Sequence, residues 1–500
     1  MNHNVSRRTF LGTTATAAAA FTVIPNHAMG SVLGHKAPSD KLNIAIVGPG
    51  GRANGMLQSA ANLQENIVAL CDVDWKKAAP RFEQFPNAKK FKDFRKMYDE
   101  MGKSIDAVVV GTADHTHAII AANAIVMGKH VCCEKPLTHS VYESRLLTKL
   151  AAKYKVATQM GNQGSSNPGV RQICDWIADG QIGDVTKVEC ATNRPIWAQG
   201  LDAPKQGEWI PETLDWDLFI GPAKKIPYHS VYHPWSWRGW WAFGTGALGD
   251  MACHIMHPVF KGLKLGYPTK VYGSSTKLLP HSAPVAQKVK MTFPARPQHD
   301  TKKVKYPEVE VTWTDGGILP DYPKGFPADK RWDRGLEGPV VFHGTKDILI
   351  CGVYGRDPWL VSGRTPVSPK TQREVPQAPN RVELHTMDWI RACKENPATR
   401  VPTASDFAEA GPFNEMVVMG VLAVRLQELG KVLFWDGPNM RFTNIANDET
   451  IPWLGEDRVE VVDGHPTTIS GRTRLNANEF AAELVKHTYR QGWSLPDMPA

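Results

Sequence analysis

Runs of lysine and arginine are missing from this chain, although its formal net charge is +8. Basic residues come at most in short pairs such as Lys89-Lys90 and Lys302-Lys303, which read as solvated faces. Nucleic-acid binding needs a concentrated basic stripe, so that class is excluded. Cysteine is sparse. The eight residues (Cys71, Cys132, Cys133, Cys174, Cys190, Cys253, Cys351 and Cys393) lack the close paired spacing of a zinc site or a disulfide scaffold. Cys71, Cys132 and Cys133 fall in apolar strand patterns, where cysteine serves as a small buried hydrophobe. Internal repeats are absent. After the N-terminal region no segment reads as apolar for the roughly 20 residues that a membrane span needs.

What is present begins with Ser6-Arg7-Arg8-Thr9-Phe10-Leu11-Gly12, a twin-arginine pattern, followed by an uncharged stretch from Thr13 to Ile24. That stretch is too short to span a bilayer and ends near the small-residue site Asn26-His27-Ala28. Residues 1–30 are expected to be a signal peptide, which makes the twin-arginine export machinery a partner and the periplasm, or another exported location, the destination. Without those residues the balance is 56 basic against 50 acidic. Residues 31–40 read as a linker, 41–158 as a nucleotide-binding domain, 159–440 as a substrate and oligomerisation domain, and 441–500 as an extension with no defensible motif.

The first domain announces itself at Lys41–Val47, a buried strand that runs into Gly48-Pro49-Gly50-Gly51-Arg52 and a helical pattern. This is the dinucleotide arrangement: Gly48 for a tight turn, Gly50 for backbone approach to pyrophosphate, and a helix N-terminus beyond them. The second strand, Ile67–Cys71, ends in Asp72, where an acid accepts the adenosine ribose hydroxyls and repels a 2′-phosphate. NAD is therefore favoured over NADP. A third strand, Ile105–Val110, leads to Thr112, His115 and His117, which lie beside the cofactor because ligands sit outside strand carboxyl ends. His115 and His117 also raise the possibility of a metal, and cofactor packing is the preferred reading. Asp114 reads as the cap of a helix over 118–127. The next strand ends in Glu134-Lys135-Pro136, where the proline holds Lys135 extended at the strand end.

Past residue 156 the pattern changes. Short strand-like segments such as 185–191, 270–274, 285–293, 309–313, 338–341 and 347–351 alternate with Pro- and Trp-rich loops, the signature of a mainly antiparallel sheet. The expected class is α/β: a Rossmann domain followed by an α+β domain with a large, mainly antiparallel open sheet. An open sheet face needs cover, so a homo-oligomer, dimer or tetramer, is expected. A helical run covers 405–430, with Gly430 as its stop signal.

The motifs Gly48–Arg52, Cys71–Asp74, Asp114–His117, Gly128–Val131 and Glu134–Leu137 together resemble the Gfo/Idh/MocA oxidoreductases, which include glucose–fructose oxidoreductase and inositol dehydrogenase. The resemblance continues through Gly161-Asn162-Gln163 and Ile182–Val185 to Gly244–His254. It implies a bound nicotinamide with Gly48, Gly50, Gly51, Arg52, Asp72, Thr112, His115, His117, Glu134 and Lys135 around it. It also implies His254 as proton acceptor, Asp250 and Lys135 around the reacting hydroxyl, and a cis Lys135–Pro136 bond. Asp250 and His254 are spaced i, i+4, so a helix projects both from one face. Asn162, Trp237, Arg238 and His257 are the substrate-binding candidates. His257 stands where many family members carry an acid. Between Tyr228 and Trp241, aromatic residues crowd around Arg238, which suits a polyhydroxylated substrate.

Three functions compete at this stage. The first is an exported NAD-dependent oxidoreductase of a sugar or cyclitol with a tightly held cofactor. The second is a glycosidase that uses catalytic NAD through a transient 3-keto sugar. The third is a binding protein with a vestigial nucleotide site.

Overall fold

In the computed structural model, residues 40–297, 303–332, 338–375, 378–454, 458–469 and 472–499 are described. The twin-arginine segment and nearly all of the linker lie outside them. The first domain strings together β1 (Asn43–Val47), α1 (Asn54–Asn62), β2 (Asn66–Cys71), α2 (Trp75–Gln84), β3 (Lys89–Phe91), α3 (Phe94–Met101) and β4 (Ala107–Val110). It continues with α4 (Asp114–Val126), β5 (His130–Cys133), α5 (Val141–Tyr154) and β6 (Thr158–Met160). The six strands form one parallel sheet in the order β3-β2-β1-β4-β5-β6. Because β1 and β4 are neighbours while the chain runs outward on both sides, the order reverses there, which is where open α/β sheets bind ligands. Ala107-Val108-Val109-Val110 is buried on both faces, as a strand between two helical layers must be.

The chain then forms α6 (Pro168–Ala178), β7 (Val185–Ala191), the short α7 (Trp216–Ile220), α8 (Gly246–Ile255) and α9 (His257–Gly262). Strands β8 (Lys270–Ser275), β9 (Gln287–Phe293), β10 (Val309–Thr314), β11 (Val340–Gly344), β12 (Ile348–Gly352) and β13 (Arg356–Leu360) follow. After α10 (Arg381–Lys394) and α11 (Phe407–Arg425), β14 (Leu433–Asp436) and β15 (Arg441–Phe442) complete a nine-stranded sheet in the order β13-β12-β11-β7-β10-β9-β8-β14-β15. Its pairs are antiparallel except β7 with β10, which run parallel. Alternation puts Val289, Met291, Phe293, Val309, Val311 and Trp313 into the core, while Lys288 stays outside. The second sheet thus agrees with the period-2 reading.

Three departures from the sequence reading have plain causes. The helix expected over 118–127 begins at Asp114, and Asp114 does not cap it: the carboxylate is fully buried and serves a partner from another element. Helix α10, far along the chain, rejoins the nucleotide domain, where Trp389, Ile390, Ala392 and Cys393 share one core cluster with β1 and α1. Helix α11 is long and apolar enough to cross a membrane by length and composition, contrary to expectation, and 83% of its most apolar window is buried inside the protein. It is a core helix. All eight cysteines are buried and unpaired.

Candidate active site

The turn after β5 is held from three sides. The Lys135–Pro136 bond is cis, in agreement with the family-based expectation. Asn414 of α11 accepts from the Leu137 N–H at 2.9 Å and donates to the Thr138 carbonyl and hydroxyl at 3.2 and 3.0 Å. The ring of His117 lies between the Pro136 carbonyl, 2.8 Å from Nδ1, and the Thr112 carbonyl, 3.2 Å from Nε2. Lys135 therefore leaves the strand end from a fixed backbone, with only 7% of its surface exposed.

Its ammonium donates to the Asp250 carboxylate (Nζ to Oδ1, 2.5 Å) and to the Asp250 carbonyl at 3.0 Å. Asp250 and His254 come from α8, one turn apart. Arg238 reaches the same carboxylate through Nε at 3.1 Å and donates from Nη1 to Asp114 at 3.0 Å. Asp114 also accepts from the Thr245 N–H and hydroxyl, which ties α4 to the start of α8. Burial by itself would raise the Asp250 carboxyl, but Lys135 and Arg238 outweigh it and hold the group well below the usual carboxylate range. The same burial, reinforced by the nearby Lys135 charge, pushes the His254 imidazole well below its ordinary value. His254 is a neutral base with its Nδ1 buried and unpartnered, packed edge-on against Tyr354 at 4.8 Å.

These groups occupy one end of a cavity of about 620 Å³ between the two domains. Gly48, Gly50, Gly51, Arg52, Thr112, His115 and Glu134 also line it, and Asp72 stands at its far end. Gly48 has φ +84°, and a Cβ there would sit 2.7 Å from the Gly111 carbonyl oxygen, so neither the turn nor the close packing tolerates a side chain. Asp72 accepts from the Gly50 N–H at 3.1 Å and the Asp74 N–H at 3.0 Å, which fixes its carboxylate against the glycine turn. A glycine-lined middle, a fixed acid at one end and a Lys-Asp-His cluster at the other fit a dinucleotide.

Three predicted site residues are elsewhere. His117 is buried behind the Lys135 turn and positions it, because its ring nitrogens are taken up by backbone carbonyls. Asn162 is fully buried, donating to the Cys253 carbonyl at 3.5 Å, and does not line the cavity. His257 points away from the cavity, with Nε2 2.8 Å from Glu409 and its ring against Phe413. His254 lies in α8 whereas His257 begins α9, so the two rings face different neighbours. His115 borders the cavity, yet its ring is engaged by the carbonyls of Phe243, Phe219 and Ile220. Trp237 and Arg238 do line the cavity, 4.5 Å apart as a cation–π pair.

Sequence reasoning missed Asp114 as the anchor of Arg238, and missed Tyr354, Trp197 and Trp493 as cavity walls. Tyr354 has φ 65°, an uncommon conformation for a bulky residue. Its place between Gly352 and Gly355 was the only hint available in the sequence. Trp493 carried no signal.

Known proteins match this arrangement in part. Residues 42–162 match the oxidoreductase family model described as an NAD-binding Rossmann fold, and residues 170–319 match the same family's C-terminal alpha/beta domain. Among curated relatives, levoglucosan dehydrogenase of Pseudarthrobacter phenanthrenivorans is 24% identical over 43% of this chain and 49% of its own length. Inositol 2-dehydrogenase of Salmonella typhimurium is 27% identical over 35% of this chain and 51% of its own. The chain thus spans about half the length of the curated relatives it matches. Among solved structures, the WlbA dehydrogenase from Bordetella pertussis, in complex with NADH and UDP-GlcNAcA, aligns with a TM-score of 0.52 at 16% identity, covering 79% of this chain and 99% of that one. At that identity the likeness speaks to the fold. With both family domains matched in order along one chain, the protein belongs to the Gfo/Idh/MocA oxidoreductase family.

Proposed function

We propose that this protein transfers a hydride between a sugar or cyclitol carbinol carbon and a tightly held nicotinamide, NAD in preference to NADP. The observation that carries this reading is the convergence of Lys135, Asp250 and His254 at one end of a cavity whose other end is marked by Asp72. Bound oxidised nicotinamide supplies the hydride acceptor. The glycine turn and Asp72 would hold the cofactor's phosphate and ribose groups. His254, neutral and desolvated, takes the hydroxyl proton as the alcohol is oxidised. The Lys135 ammonium steadies the developing alkoxide, while Asp250 orients that ammonium and balances its charge. Arg238 and Trp237 offer a cation and an aromatic face to a polyol.

Relatives named as dehydrogenases of inositol and levoglucosan support redox chemistry over glycoside cleavage. Export through the twin-arginine route is supported by Ser6–Gly12 and the uncharged stretch behind it. A homo-oligomer is supported by the exposed aromatic side chains Tyr272 and Phe434 on the nine-stranded sheet. The test is to mix purified protein with aldoses, cyclitols and anhydrosugars while following reduced-nicotinamide absorbance. A substrate-dependent rise is expected. Release of nitrophenol from nitrophenyl glycosides with no such rise would select the glycosidase instead.

A further inference from the structure

Residues 486–499, after α12 (Ala477–Val485), have no regular structure, and irregular segments of that kind are normally mobile. Here the segment is pinned along its length. The Tyr489 hydroxyl donates to Glu143 Oε1 at 2.7 Å, and Glu143 is half of the capping box that starts α5. Arg490 forms a two-pronged pair with Asp217 (3.0 and 2.8 Å), and its Nε donates to the Gly221 carbonyl at 2.5 Å. Near the end, Lys149 donates to the Pro499 carbonyl at 3.2 Å. Between these anchors Trp493 is set into the wall of the central cavity, with its ring 6.1 Å from Phe94 and the Arg95 guanidinium 4.3 Å from its centroid.

The position of Trp493 says which half of a dinucleotide it would meet. Lys92, Asp93 and Phe94 follow β3, the strand beside β2, and Asp72 follows β2. An acid at that point takes the adenosine ribose. Lys92, Asp93, Phe94, Leu218 and Trp493 therefore wall the adenosine end, opposite the Lys135 cluster. The tail lies beyond both matched family regions, 42–162 and 170–319.

We propose that Trp493 is a cofactor-binding residue: its indole forms an aromatic wall against the adenine, and the pinned tail retains the dinucleotide between turnovers. The proposal rests on the dinucleotide reading of the cavity. Base–aromatic stacking predicts that Trp493→Ala releases NADH about 10- to 100-fold faster. The affinity for ADP-ribose falls by a similar factor, and that for nicotinamide mononucleotide stays unchanged. Trp493→Phe, which keeps a ring, stays close to wild type. Dissociation is read by stopped-flow loss of NADH fluorescence, and affinities by calorimetry on cofactor-stripped protein. Independently of any variant, hydrogen exchange in residues 486–499 of the wild-type chain slows when ADP-ribose is added. Equal NADH release from wild type and a folded Trp493→Ala overturns the proposal while leaving the dinucleotide reading intact, and so does unchanged exchange in the tail. Wild-type protein that binds neither NADH nor ADP-ribose overturns the dinucleotide reading itself.

Discussion

Burial decides the protonation state of His254 before any substrate arrives. Desolvation comes first and the Lys135 charge second, and both favour the neutral imidazole. A depressed histidine pKa keeps the base form present as pH falls, so kcat/KM should hold steady from about pH 8 down through about 6.5, the ordinary histidine value. Lys135→Met removes the largest of the charges that depress it. The acid limb of the pH profile should then move upward, and kcat should fall by about 10²–10³, the usual loss for one donor to a developing oxyanion. An acid limb that does not move would separate Lys135 from His254. His254→Asn should lower kcat by about 10²–10⁴ while leaving NADH affinity near wild type, as fluorescence titration can check. Asp72→Ser should raise NADP affinity relative to NAD, since it removes a carboxylate from the ribose end.

Individual elements differed in how readily the sequence disclosed them. The β1–glycine turn–α1–β2 unit was legible because its chemistry is local: apolar strand, Gly48, then Asp72 within one supersecondary unit. The Lys135 turn was legible for the same reason, and α8 because Asp250 and His254 are one turn apart. His117, Asn162 and His257 do not line the cavity, because sequence spacing places a residue near a site but does not fix the face it presents. The tail was illegible because its partners, Glu143, Asp217 and Phe94, lie hundreds of residues upstream. It also carries a pH dependence. His487 faces His139 with ring centroids 4.9 Å apart. Desolvation, with Arg425 and Lys224 nearby, pushes His487 down to about 4 against the opposing hydrogen bonds to the backbone of His139 and Glu483. His139, beside Asp114 and His115, is also held well below its ordinary value, first by desolvation and then by His487. Both folded values lie below the unfolded one, so the detached tail binds more protons. Docking is therefore fully stable above about pH 6.5 and weakens as pH falls toward about 4. Limited proteolysis of residues 486–499 should accelerate across that window, and His139→Asn should flatten the response.

At the scale of the whole molecule, two sheets meet across one cavity, and each contributes half of the chemistry. The parallel sheet presents the glycine turn, Asp72 and Lys135, and the second domain supplies Asp250, His254 and Arg238 through α8 and the aromatic loop before it. Asp114 and Arg238 join the halves through a largely buried ion pair. The tail closes the cofactor end from outside both matched family regions. On the proposed reading, this arrangement suits the retention of a nicotinamide through repeated turnovers. The most direct test is a single-turnover experiment on the protein as purified, with no cofactor added. A sugar or cyclitol from the active panel should reduce the bound nicotinamide to a stoichiometry approaching one per chain, and His254→Asn should abolish the fast phase. Purified protein that carries no dinucleotide, or a bound dinucleotide that no polyol reduces, would contradict the account.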